Sequence, residues 1–187
     1  MPTLLQPDKR WFDPLTLNTN AMFILVATIF LTLAGWLMQA GILPSLIETS
    51  LSQRYSPWNT LIPLKIWMQL AVVLSLILPI FVLLVCWREA IVRRMMLFYI
   101  GVMLVHILTE MAFTKLGLPK MNFIIGFIYT SYKLWQLWYY QQCITKEKIF
   151  RGIKRGFVMA IFVGGIVFWT LNWVFLGINL VTRTIGT

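Results

Sequence analysis

The sequence predicts an all-α polytopic membrane bundle: five spans, with the N-terminus on the cytoplasmic side and the C-terminus opposite. Three observations predict it. Hydrophobic residues make up 59% of the 187 residues, too many for a chain of this length to hide from water. They fall in five runs of about twenty residues, each long enough at about 1.5 Å per residue to cross a hydrocarbon layer of roughly 30 Å. Lys and Arg gather in the connectors rather than in the runs.

The runs cover about 21–43, 65–87, 95–114, 121–142 and 157–181. Residues 1–20, with mixed charge and prolines at 2, 7 and 14, read as an interfacial arm with Trp11 and Phe12 at headgroup level rather than as a secretory signal. Residues 182–187 form a short tail. No Asp, Glu, Lys or Arg occurs between Pro14 and Ile47, so the first run is clear of charge. Pro79 falls inside the second and kinks it, because proline lacks the N–H of the helical ladder. The third and fourth are joined by a short turn containing Gly117 and Pro119 and form a hairpin. The fifth carries small residues at Ala160, Gly164 and Gly165, which allow another helix to approach closely.

Orientation follows from the basic residues. If the spans alternate, ten Lys and Arg (9, 10, 88, 93, 94, 146, 148, 151, 154 and 155) lie on one side. Five (54, 65, 115, 120 and 183) lie on the other. The richer side is cytoplasmic or its topological equivalent. There Arg93, Arg94, Lys148, Arg151, Lys154 and Arg155 are candidates for anionic lipid headgroups, which also accounts for a net charge of +10 without nucleic acid. Residues 145–156 read either as a basic interfacial helix continuing the fourth span or as a solvated loop.

Ionisable groups inside a span cost about 2.5–3.5 kcal/mol on insertion scales and call for a partner, water or a function. Glu110 and His106, the chain's one histidine, lie four apart on the third span, on a stripe with Met103 and Tyr99. The fourth span carries Tyr129, Lys133, Gln136 and Tyr140 at matching spacing. Counting outward from the turn brings His106 level with Tyr129, Tyr99 level with Gln136, and Lys133 near Val102 and Met103. The same count puts Gln69 near Glu110 and Asn172 between Glu110 and His106, with Gln39 slightly further out. These residues define an expected polar layer for water, a proton, a cation or the polar end of a lipophilic ligand. Competing readings make Glu110 a boundary charge near Lys115, Lys133 a side chain snorkelling to the cytoplasmic headgroups, and the amides interhelical hydrogen bonders.

The residues name no cofactor. Cys86 and Cys143 are too few for a disulfide framework, and with one histidine they make no metal set. No catalytic triad, carboxylate pair or phosphate-binding glycine loop occurs. The expected function is therefore a non-catalytic accessory or assembly subunit, partnered by other membrane subunits or a second copy. It can also hold a lipophilic or pigment ligand, with His106 as axial ligand. The alternative is a small transporter or channel-like protein moving a proton, a cation or a lipophilic solute through an oligomer.

Overall fold

A computed structural model of the chain describes residues 13–42, 64–118, 121–147 and 153–185, and every element among them is helical. Helix α1 is Leu17–Gln39. Helices α2 (Leu64–Val72) and α3 (Leu78–Val85) are joined by a π-helical turn, Val73–Ile77. Helix α4 is Ala90–Lys115, α5 is Asn122–Glu147 and α6 is Ile153–Ile185. Three segments are long and apolar enough to cross a membrane: Leu17–Gln39, Ala90–Lys115 and Gly156–Phe175.

Local chemistry sets the helix ends. Helix α1 starts within the expected arm, because the Thr16 side chain caps it by accepting from Thr19 N at 3.3 Å. Asp13 braces the preceding turn by accepting from Leu15 N at 2.9 Å. The rest of the arm, including Trp11 and Phe12, lies outside the described residues. Gly117 ends α4 with φ of +75°, a left-handed conformation that a Cβ strains. Leu118 N then reaches back to Phe113 O at 2.9 Å.

The expected break at Pro79 takes a defined form. Pro79 cannot donate to the carbonyl one turn earlier, and the chain widens just before it. The N–H of Leu78 bonds Val73 O, five residues back, so the segment 64–85 continues without a gap.

Helices α4, α5 and α6 form the centre, with the α5–α6 contact the most extensive. One core cluster joins α3, α4, α5 and α6 around Met96, Tyr99, Tyr140 and Phe162. A second seats α1 on α4 and α5 through Leu31, Val102, Ile125 and Tyr129. The outward faces are apolar: Phe30, Trp36, Leu84, Leu104, Leu108 and Leu171 are all exposed. That surface suits lipid rather than water.

The small residues of α6 divide between faces. A Cβ on Gly165 would meet Leu137 Cδ1 at 3.2 Å, so this glycine lets α5 and α6 approach. Gly164 has open space around it, and Ala160 is exposed. Gly165→Leu is therefore expected to lower stability by about 1–3 kcal/mol through overpacking. Gly164→Leu should stay within about 0.5 kcal/mol. Thermal unfolding of the detergent-solubilised protein, followed by circular dichroism, distinguishes the two.

Candidate functional site

Lys133 is completely buried on the inward face of α5. Its Nζ lies 3.1 Å from His106 Nδ1 and 3.5 Å from Met103 Sδ. On the remaining side it sits 3.5 Å from the centre of the Trp169 ring, a cation–π contact supplied by α6. The side chain thus turns into the bundle; it does not extend to the headgroups.

His106 joins this lysine to Glu110. Its Nε2 is 3.2 Å from Glu110 Oε1, a close contact that lies off the ring N–H axis. Tyr129 stacks on the imidazole with centroids 4.9 Å apart and planes at 15°. The Tyr129 hydroxyl is 3.4 Å from Thr109 Oγ1, which donates to Val105 O at 2.7 Å. Trp169 is fixed in turn, its indole N–H donating to the Tyr99 hydroxyl at 2.8 Å. Three helices therefore position one line of groups, Lys133–His106–Glu110. Only the Glu110 end opens outward, its side chain 36% exposed against 8% for His106.

Nearer the start of α1 is a second cluster, without charge. Asn20 Oδ1 accepts from Gln136 Nε2 at 2.8 Å and from the Tyr132 hydroxyl at 3.0 Å. Asn20 Nδ2 donates to Pro14 O at 2.8 Å and Thr16 O at 2.7 Å. The Tyr140 hydroxyl donates to Pro14 O at 3.3 Å. This cluster ties the otherwise lightly held α1 to α5.

The structure brings His106, Glu110, Tyr129 and Lys133 together and separates the other expected members. Gln69 is exposed on α2, and Gln39 is exposed at the end of α1. Asn172 is half-buried in a different contact, donating to Thr130 Oγ1 and accepting from Trp67 Nε1, each at 3.4 Å. Depth along a span does not fix which way a side chain faces, and none of these three amides joins the site. Of the basic candidates, Arg94 is exposed, while Arg93 donates to Trp87 O at 3.0 Å. Lys154 and Arg155 lie on the first turn of α6. Lys148 and Arg151 lie outside the described residues.

Asn20 and Trp169 were not expected in these roles. Asn20 stands at the polar edge of the first run, where an amide reads as interface. Tryptophan in a span reads as lipid-facing. Both nitrogens of His106 have polar neighbours, Lys133 Nζ at Nδ1 and Glu110 Oε1 at Nε2. Among the described residues no three His, Cys, Asp or Glu side chains converge on a metal position. Comparison of the chain with protein-family models, curated proteins and solved structures finds no match.

Glu110→Gln leaves the Lys133 charge uncompensated, and Lys133→Met leaves the Glu110 carboxylate unpaired. Each single substitution is expected to destabilise by about 1–3 kcal/mol, less than for a fully buried pair because Glu110 is partly exposed. The double variant should lose less than the sum, which a double-mutant cycle on thermal unfolding measures directly. Asn20→Ala removes the acceptor for two buried donors and should cost about 1–3 kcal/mol in the same assay.

Proposed function

We propose that the chain is a multi-pass membrane protein of five spans, N-in and C-out, that serves as a non-catalytic accessory or assembly subunit packed against other membrane helices. The observation that carries this reading is the inverted distribution of chemistry. Within the helical bundle Lys133 is fully buried and His106 nearly so, with Glu110 half-buried at the edge, while the perimeter is apolar. An enzyme needs a cleft where polar groups converge on a substrate. The open groove of about 380 Å³ beside α1 and α5 is lined by Phe23, Phe127, Ile128, Ser131, Tyr132 and Trp135. Of its polar groups, the Ser131 hydroxyl already accepts from Trp173 Nε1 at 2.8 Å and donates to Phe127 O, and the Tyr132 hydroxyl donates to Asn20. Such a groove suits an acyl chain or another lipophilic ligand. The exposed Ala160 and the half-buried Gly164, whose Cβ position is open, suit close approach by a helix of another subunit or a second copy.

The orientation rests on the ten-to-five distribution of Lys and Arg. On the richer side Arg93, Arg94, Lys148, Arg151, Lys154 and Arg155 meet anionic headgroups. Movement of a proton or cation through an oligomer is the second reading, favoured by the charged line Lys133–His106–Glu110.

Extraction from native membranes in a mild detergent, followed by native electrophoresis and mass spectrometry, tests the assembly reading. The expected result is a stoichiometric complex with other membrane subunits or with further copies. Gly164→Leu should weaken that complex several-fold without lowering the melting temperature of the isolated chain. Recovery of a lone monomer that carries ion flux in vesicles would replace this reading by the second one.

A further inference from the structure

The contact between Lys133 and His106 restricts where protons can sit. At 3.1 Å, Nζ and Nδ1 have space for one hydrogen between them. In one arrangement the Lys133 ammonium donates to the Nδ1 lone pair; in the other, protonated Nδ1 donates to a neutral amine. In both, Nε2 carries a hydrogen and faces Glu110 Oε1 at 3.2 Å. The two arrangements have the same net charge: one positive charge on the Lys133–His106 pair and one negative charge on Glu110. A buried group of this kind is most stable when neutral in sum, and both arrangements satisfy that condition.

We propose that Lys133, His106 and Glu110 form a proton-exchange site with a single opening, at Glu110. The transfer balances. A proton leaves Lys133 Nζ and bonds His106 Nδ1 while the Nε2–H bond breaks and a new O–H bond forms on Glu110. The lysine becomes a neutral amine, the imidazole remains neutral with its tautomer reversed, and Glu110 becomes a neutral acid. No charge is created at any stage, which is what an apolar interior requires.

Glu110 then exchanges with water. Its carboxyl is partly exposed and lies five residues before the end of α4 at Lys115, about 7–8 Å along the helix. The Nε2–Oε1 contact lies off the N–H axis, so a small rotation of the Glu110 side chain aligns transfer and the reverse rotation releases it. The far end is closed by Met103 and the Trp169 ring. Among the described residues, the titratable groups in contact with His106 are Glu110 on α4 and Lys133 and Tyr129 on α5. From α6, Trp169 touches Lys133 and carries no titratable proton. This exchange is a property of the single chain, and it holds whether or not the chain docks on other subunits.

His106 is the chain's one histidine, so selective ¹⁵N labelling gives a single imidazole signal in nanodiscs. In the wild type, Nε2 is expected to be protonated while Nδ1 shows a shared hydrogen bond. Lys133→Met should convert Nδ1 to an ordinary unshared nitrogen. Glu110→Gln should slow exchange of the imidazole proton with bulk water by about tenfold or more, and Glu110→Asp should restore most of it. Circular dichroism establishes that each variant is folded. If Lys133→Met fails to fold, the Glu110→Gln and Glu110→Asp pair still decides the outcome. In proteoliposomes, exchange should follow the pH on the side of the α4–α5 turn. An unchanged Nδ1 signal in folded Lys133→Met overturns the proposal. So does undiminished exchange in Glu110→Gln, or a response to pH on the opposite side.

Discussion

The arrangement of this bundle depends on one requirement: an ammonium group in the apolar middle of the protein must be compensated from inside. Lys133 has no exposed surface, and water cannot screen its charge. Its partners therefore come from the protein, a sulfur and an imidazole from α4 and an indole face from α6. Because these groups lie on two helices, Lys133 also fixes how α4 and α6 face α5. The α5–α6 contact, the most extensive in the bundle, includes this point and the close approach at Gly165.

Helix α5 is consequently built inside-out relative to a soluble amphipathic helix. Tyr129, Lys133, Gln136 and Tyr140 face inward and are fully buried, while Trp138 faces outward and is exposed. Reversing that order would place the polar stripe against lipid, where each unpaired group costs free energy. The neighbouring helices are then obliged to supply partners: Asn20 and the Pro14 carbonyl at one depth, His106 and Met103 at another. A helix that is polar within a bundle determines its neighbours more tightly than an apolar one, because hydrogen bonds are directional and dispersion contacts are not.

This accounts for what was legible in the sequence. The short turn at Gly117 fixes the depths of α4 and α5, so counting from it placed His106 beside Tyr129 and Lys133 beside Met103. That register held because few residues separate the two helices. The reach of the Lys133 stem to His106 could not be read, since a four-carbon chain can extend either way along a span. Pairing across longer connectors leaves helix rotation unspecified by the sequence, so Gln69 faces outward and Asn172 bonds Thr130 and Trp67 instead of joining the His106 site. The start of α1 was placed late because Asn20, Thr19 and Asn18 read as interfacial residues. The helix in fact begins where Thr16 can cap it, and Asn20 turns inward to bond the Tyr132 hydroxyl and the Gln136 amide. Trp169 gave no signal, because its role lies in the face it presents rather than in its type.

The two polar clusters differ in a way that bears on function. The one at Asn20 is uncharged and holds α1 through amide, hydroxyl and backbone groups, each fixed by several bonds; it acts as structural glue. The one at His106 is charged, and its outermost member is held by one misaligned contact. The placement of the signs matters here. A buried carboxylate with a lysine at the edge would let the long cation swing to the headgroups and strand the acid. The observed order keeps the flexible cation enclosed by an imidazole lone pair and an indole face, and leaves the short carboxylate at the boundary. Glu110 is partly exposed even while it touches His106, so rotation alone is enough to turn its carboxylate between the imidazole and the edge of the bundle. A rotating carboxylate beside a fixed imidazole is a movable part, which the multiply bonded Asn20 cluster lacks.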